Sequence, residues 1–412
     1  MRPPLFLAAG LLAAAACREA SGPELRRFLS VAAGDGFTCA IASGGEAWCW
    51  GDGTFGQLGN GTTGVSAIPV RVAGGHSFAA IAAGNTHACA LTADGVAWCW
   101  GLNDFRELGT RTVNCNNNLQ FLSCAASPVR VDSAPPFTRI AAAGYYTCAI
   151  AATGAAWCWG WSNYGQVGTG VTDEVVATPS RVLGGLAYRS IELDAFHACG
   201  ITTTNAVYCW GSNRSGELGA ETGDPCTPAI GAAIPCSPVP VASAPGFVGS
   251  EIALGSSHSC LLTGSGVPYC WGSNSHGALG SPGASGGPVP VPVDGDRLYR
   301  TVVAGRDHNC AIDYSDRTWC WGSNLYGESG PVAAATCPGS EGPVTCAPAP
   351  VALSGSPTFV QLSAGASHTC ALTSDGAIYC WGRGTEGQLG DGNRTSTATP
   401  VRVTLVGASP PR

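Results

Sequence analysis

The chain has 412 residues with 59 Gly, 28 Pro, 21 Cys and 12 Trp, and 20 Lys+Arg against 27 Asp+Glu give a formal charge of −7. Charged residues make up only 11%, under half the roughly 25% of an ordinary domain, which excludes a charge-rich disordered tail. There is no basic excess to neutralise phosphates, so no nucleic-acid partner is expected. Gly near one residue in seven and a single Met describe a turn-rich β protein. The cysteine count points to an oxidising compartment.

Met1-Arg2 is a short basic start, Leu5 to Ala16 is an apolar run, and Ala14-Ala15-Ala16 is a small-residue cleavage context. That run is too short to span a bilayer and reads as a signal peptide. Cys17 follows directly and resembles the lipobox cysteine of bacterial lipoproteins, whose thiol takes a diacylglyceryl anchor, although Ala14 stands where Leu is usual. Residues 1–17 are read as a signal with lipid attachment at Cys17, and plain secretion after Ala16 is the alternative. A short linker, 18–30, follows.

From residue 31 to 405 one repeat organises the chain. Its signature, Cys-Trp-Gly preceded by Trp or Tyr, begins at Trp48, Trp98, Trp157, Tyr208, Tyr269, Trp319 and Tyr379. A Gly-rich turn such as Gly56-Gln-Leu-Gly59 comes next. Each unit then closes on a Pro-x-x-Val segment: Pro69–Val72, Pro128–Val131, Pro179–Val182, Pro238–Val241, Pro290–Val293, Pro350–Leu353 and Pro400–Val403. Short period-two apolar runs between Gly, Asn and Pro are strands, so each unit is a small antiparallel sheet. Seven such sheets at a fixed period predict an all-β, seven-bladed β-propeller of about 50–60-residue repeats. The first repeat has no Pro-x-x-Val strand before it, and the last has no inner strand after it. Closure is therefore expected by pairing of the N- and C-terminal half-repeats, leaving 406–412 as a tail. A ring sealed in this way has no free edge, and a monomer is expected.

Each signature cysteine has a partner ten residues earlier: Cys39 with Cys49, Cys89 with Cys99, Cys148 with Cys158, Cys199 with Cys209, Cys260 with Cys270, Cys310 with Cys320, and Cys370 with Cys380. The loops after the second, fourth and sixth signatures are longer and carry Cys115 and Cys124, Cys226 and Cys236, and Cys337 and Cys346. These pairs use every cysteine except Cys17. A turn at Ser43-Gly44-Gly45 sets Cys39 opposite Cys49, Thr38 opposite Trp50 and Ala40 opposite Trp48. Facing residues that share no hydrogen bond lie about 4.5 Å apart at Cα, within disulfide reach. No Cys-x-x-Cys spacing supports zinc, and neither a metal nor another cofactor is expected.

The pattern Gly84-Asn-Thr-His87-Ala-Cys-Ala-Leu91, Asp94-Gly95, Trp100-Gly101 and Gly387-Gln-Leu-Gly390 resembles the repeat of the regulator of chromosome condensation family, which includes alpha-tubulin suppressor-like proteins. The resemblance covers residues 31 to 403 and implies a seven-bladed propeller. The founding member's activity would imply guanine-nucleotide exchange on a small GTPase, which the export signal argues against. A nearer analogy is the secreted bacterial propeller of this type that inhibits β-lactamases. The expected function is a non-enzymatic extracytoplasmic protein-binding disc, with a secreted inhibitor of a β-lactamase or protease as the alternative.

Candidate chemistry is sparse. His87, His197, His258, His308 and His368 share one repeat position with Phe37 and Tyr146, opposite the Gly of Trp-Gly. Packing of a flat side chain over glycine accounts for all seven. Gly283-Ala-Ser285-Gly-Gly287 matches a nucleophile-elbow pattern but lies in a Pro/Gly loop. The inner strands, such as Val31-Ala-Ala and Ile81-Ala-Ala, carry Glu192 and Asp194 as their carboxylates, and no catalytic residue is assigned. Five residues past the signature tryptophans stand Phe55, Phe105, Tyr164, His276 and Tyr326. Gathered on one face, they would form an aromatic binding surface. Packing on the neighbouring blade is the alternative. The expected partner is an unidentified protein or envelope macromolecule, met at the outer membrane or cell surface through the lipid anchor, or otherwise in the periplasm or outside the cell.

Overall fold

A computed structural model describes residues 27–111, 123–172, 174–222, 225–227, 232–331, 335–339 and 342–404. Cys17 and Cys115 lie outside these residues, as does the stretch read as a signal peptide. Blade 1 comprises Phe28–Ala33, Phe37–Ala42, Ala47–Gly51 and Ser66–Arg71, hydrogen-bonded in that order and antiparallel throughout. Six more sheets follow over residues 78–130, 137–181, 188–242, 249–292, 299–352 and 359–402. The protein is a seven-bladed propeller, as its repeats predict. The first strand starts at Phe28, inside the stretch read as linker.

Closure differs from the expectation. The last described strand, Thr397–Arg402, completes blade 7, and the first completes blade 1, so no sheet contains both of them. A unit begun at the inner strand is complete in itself, so neither terminal unit lacks a strand. The two blades meet side by side instead: Ala33 N–H donates to Ser363 Oγ at 2.9 Å, Gln361 Nε2 to Val31 O at 3.2 Å, and Ala366 N–H to Gly34 O at 3.2 Å.

Hairpin register follows the sequence. Cys39 faces Cys49, Thr38 faces Trp50 and Ala40 faces Trp48, and the other six blades repeat the pairing. The seven bridges have Cα separations of 4.0–4.1 Å, a little under the ~4.5 Å of an unbridged pair. Each closes a loop short enough to contribute roughly 2–3 kcal/mol in the chain-entropy model. The loop bridges Cys226–Cys236 and Cys337–Cys346 are wider, at 5.7 and 5.8 Å. The second of these staples an extra strand, Ala335–Gly339, to the long outer strand Gly342–Ala352.

One outer strand is shifted from its sequence reading. Val241 pairs with Cys209 as Val70 pairs with Cys49, so the closing segment of blade 4 is Pro240–Ser243, not Pro238–Val241. Two overlapping Pro-Val steps made either frame fit. Ser243 therefore takes the buried place that Val72, Val131 and Val182 hold elsewhere.

The core lies between blades. One cluster joins Phe37, Cys39, Ile41 and Leu58 of blade 1 to Phe78, Ala88, Ala90 and Trp100 of blade 2, and the cluster between blades 7 and 1 has the same make-up. All seven signature tryptophans are completely buried.

Candidate functional site

Strand alternation sorts the loops. Every turn from inner to second strand, and every loop from third to outer strand, opens on one face, called the front. The other connections and both ends of the described chain lie on the back.

The front loops are rigid because each serves as a socket. Trp50 Nε1 donates to Gln388 O, Trp100 to Gln57 O, Trp159 to Glu107 O, Trp210 to Gln166 O, Trp271 to Glu217 O, Trp321 to Ala278 O and Trp381 to Glu328 O, all at 2.9–3.0 Å. The acceptor is always the second residue of the Gly-x-Leu-Gly turn, or its variant, in the preceding blade. Where that residue is Gln or Glu, its side chain also holds the loop tip: Phe55 N–H donates to Gln57 Oε1, Phe105 to Glu107 Oε2, Tyr164 to Gln166 Oε1 and Tyr326 to Glu328 Oε2, at 2.7–2.9 Å. Glu217 and Glu328 also accept from Ser212 and Ser323, but Leu102 fills that place in blade 2. Left without the hydroxyl, the buried Glu107 carboxyl is pushed up to about 8 by desolvation.

The repeat histidines belong to this scaffold. His87 Nε2 meets Thr147 Oγ1, His197 meets Ser259, His258 meets Asn309 Oδ1, His308 meets Thr369 and His368 meets Thr38, each in the next blade at 2.8–3.0 Å. Thr147, Ser259, Asn309 and Thr38 each donate to the same carbonyl that receives the tryptophan, so these imidazoles carry their proton on Nε2. Packing over glycine holds at five of the seven places, on a different glycine: Gly34 lies under Phe37, Gly84 under His87, Gly255 under His258, Gly305 under His308 and Gly365 under His368. At His197 that place is Asp194, whose Oδ1 lies 3.4 Å from Nδ1, and Gly144 meets Ala195 instead of Tyr146. A Cβ on Gly84 would lie 2.6 Å from the His87 ring, whereas one on Gly101 would meet the His87 backbone. Burial lowers His87 and His368 to about 3, and it lowers His258 and His308 as well.

A central channel of about 700 Å³ runs between the inner strands, walled mostly by Ala, Val, Ile and Leu. Asp35 and Glu251 join Glu192 and Asp194 there, and Glu251 escapes the inner-strand pattern because it precedes its isoleucine, Ile252, instead of following it. Glu251 accepts from Thr301 Oγ1 and Val302 N–H, both at 3.0 Å. Glu192 lines the channel, exposed to its interior, and the confined site and the neighbouring Glu251 carboxylate raise its carboxyl above the usual range. Among the described residues, no group of three or more His, Cys, Asp or Glu could hold a metal.

All five predicted tip residues are on the front, each half-buried or more exposed. Four reach into the next blade. Phe105 packs on Tyr145 and Trp161 with ring centroids at 5.2 and 5.4 Å, and Tyr164 on Phe196 at 6.1 Å. His276 Nδ1 lies 3.6 Å from Asp307, and Tyr326 sits under the Arg383 guanidinium at 5.7 Å. Phe105 and Tyr164 are brought together; Phe55, His276 and Tyr326 are not. Trp161 bridges the first two, its ring 6.0 Å from Tyr145 and 6.5 Å from Tyr164. The result is one strip over blades 2 to 4, from Phe105 through Tyr145, Trp161 and Tyr164 to Phe196 at the channel mouth. Two of the long loops border it: Ser123 N–H donates to Asp104 Oδ1 at 2.7 Å, and Cys226 Sγ lies 3.6 Å from Tyr164 O.

Three members of the strip were missed in the sequence, yet a signal was present. Where Trp161 stands, the other repeats have Asp52, Leu102, Ser212, Ser273, Ser323 and Arg383; where Tyr145 and Phe196 stand, they have Gly36, Thr86, Ser257, Asp307 and Ser367. No other blade places a ring at either position, so the fold does not require one there.

Comparison with known proteins follows the same lines. A model of the RCC1-like domain matches residues 14–300, and models of the regulator of chromosome condensation (RCC1) repeat match 299–328, 359–388 and 375–410. The chain is 27% identical over 251 residues to the Arabidopsis thaliana ultraviolet-B receptor UVR8, covering 60% of this chain and 52% of that one. It is 29% identical over 218 residues to human RCC1 domain-containing protein 1, covering 53% and 50%. It thus spans about half the length of these two relatives. Yeast RCC1 (Prp20), solved bound to Kap60, superimposes with a TM-score of 0.74 at 19% identity, covering 98% of this chain and 92% of the other. Prp20p from Saccharomyces cerevisiae, solved in a study of its binding to Gsp1p and histones, gives 0.72 at 21% identity, covering 92% and 88%. The chain belongs to the RCC1-like domain family.

Proposed function

We propose that the protein is a non-enzymatic, extracytoplasmic binding propeller, held to a membrane by lipid at Cys17, which grips a protein partner with the aromatic strip of blades 2 to 4. The observation that carries this reading is the strip's departure from the repeat. Five aromatic side chains from three blades are contiguous and partly open to solvent, on sockets that the fold already makes rigid. Pre-ordered aromatic surface of this kind binds at low entropic cost. The protein complexes named for the yeast neighbours support protein binding as the use of this fold. The apolar run before Cys17 and the pairing of the remaining cysteines support export. Export in turn argues against nucleotide exchange on a cytoplasmic GTPase.

Trp161→Ser together with Phe196→Ser restores residues found in other blades, so the variant is expected to keep its melting temperature. Affinity capture from envelope extracts should lose its specific partner at least about tenfold, while Tyr326→Ser, outside the strip, should not. Unchanged capture by the double variant would sink the assignment. If the captured partner is a β-lactamase or protease whose turnover falls on binding, the chain acts as an inhibitor.

A further inference from the structure

We infer that the back face of the propeller lies against the lipid surface, which turns the aromatic strip away from the membrane. This rests on the reading of Cys17 as the anchor. The described chain enters at the back: Arg27 donates to Ser374 O at 2.8 Å and Phe28 N–H to Gly376 O at 3.0 Å, in the back turn of blade 7. Ten residue steps separate Cys17 from Arg27, a reach of at most about 36 Å. An acylated Cys17 therefore keeps this face within tether distance of the bilayer.

The face itself suits an interface. Leu29, Leu183, Val248, Leu298, Tyr314 and Val360 all stand on back connections or strand starts and are 44–63% exposed, while the front has a set of its own in Val65, Val175, Phe196, Leu325 and Tyr326, so it is the ring-and-arginine pattern that sets the back apart. The first aromatic of every signature, from Trp48 to Tyr379, lies at the back end of its third strand, and most of these side chains are half-buried. Four of them face an arginine on the outer strand: Trp48 faces Arg71, Trp98 Arg130, Trp157 Arg181 and Tyr379 Arg402. A fifth, Trp319, has the guanidinium groups of Arg297 and Arg317 at 3.9 and 5.3 Å from its ring. The face also carries Asp94, Asp132, Asp294, Asp296 and Asp375, while Asp316 pairs with Arg300 at 3.0 Å, Asp313 with Arg317 at 3.0 Å and Glu46 with Arg71 at 3.9 Å. Indole and phenol groups backed by arginine, with scattered aliphatic tips, match an apolar boundary under anionic headgroups.

The test uses the full chain, exported with and without Cys17→Ser, and vesicles of phosphatidylethanolamine with one quarter phosphatidylglycerol. The unacylated protein should co-sediment weakly and gain hydrogen-exchange protection in back loops 73–77, 244–248 and 294–298, with none in the front loops. Val248→Asp, Leu298→Asp and Tyr314→Asp together should cut that partitioning about tenfold. Protection on the front, none at all, or partitioning indifferent to the three aspartates would overturn the inference. Concentration-dependent dimerisation without lipid, abolished by the same substitutions, would also overturn it, in favour of a second copy as occupant. Intact mass of the parent protein separates the two readings. An unacylated Cys17 with back-face protection removes the anchor alone; an acylated Cys17 without it removes the orientation alone.

Discussion

The seams between blades come in two kinds. At five of them an imidazole reaches across to a hydroxyl or amide: His87 to Thr147, His197 to Ser259, His258 to Asn309, His308 to Thr369 and His368 to Thr38. At the other two, Phe37 and Tyr146 fill the same space, and the next blade offers Ala88 and Ala198. Phe37 brings no polar group to its alanine, whereas Tyr146 carries its hydroxyl past Ala198 and donates to His197 O at 2.7 Å. A buried polar group is kept where it finds a partner and left out where it does not, because a lone one is an unsatisfied donor or acceptor. The tryptophan-to-carbonyl bond is common to both kinds, so it, rather than the imidazole, sets the blade spacing.

Acid should separate the two kinds of seam most strongly. His87 and His368 fall to about 3 from an ordinary 6.5. A depressed folded-state value favours the neutral form, so their contribution is full above pH 6.5 and is lost as pH falls toward 3. Each histidine gives a slope of about 1.4 kcal/mol per pH unit in that window. The buried Glu107, raised to about 8 from 4.5, acts oppositely: its contribution is full below 4.5 and fades as pH rises to 8. The histidines outnumber it below pH 6.5, so melting temperature measured against pH should climb to about pH 6.5 and decline above it, and a flat profile from pH 4 to 8 would contradict the buried seams. Next in size, Phe37→His places an imidazole against Ala88 and should cost about 2 kcal/mol in denaturant unfolding. Ala88→Thr on that background should recover much of the loss, and its failure to do so would mean the pairing is incidental. Smallest is the reverse exchange, His368→Phe with Thr38→Ala, which should stay within about 1 kcal/mol of the parent while reducing the acid slope by the share of His368.

Much of this was legible from the repeat. The turn at Gly44 alone fixes Cys39 against Cys49, since in a hairpin one turn sets every facing pair. The inner strands followed from their small apolar runs. Seam partners were also written in the chain, because each histidine repeat is followed, one unit on, by Thr, Ser or Asn beside the cysteine. Reading them requires knowing which blade stands next, and that includes His368 meeting Thr38 across the closure. Closure itself was misread, since a cyclic repeat offers no mark of where a unit begins. The strip was only partly visible. Phe105 and Tyr164 occupy repeat positions, whereas Tyr145, Trp161 and Phe196 show themselves only as exceptions to the repeat, and the search for a pattern passes over exceptions.

Because every blade is one unbroken stretch that carries its own sulfur clasp, the gene is a string of self-contained cassettes. Duplicating, deleting or transplanting one would sever no sheet and strand no cysteine, leaving only two sockets to be matched with new neighbours.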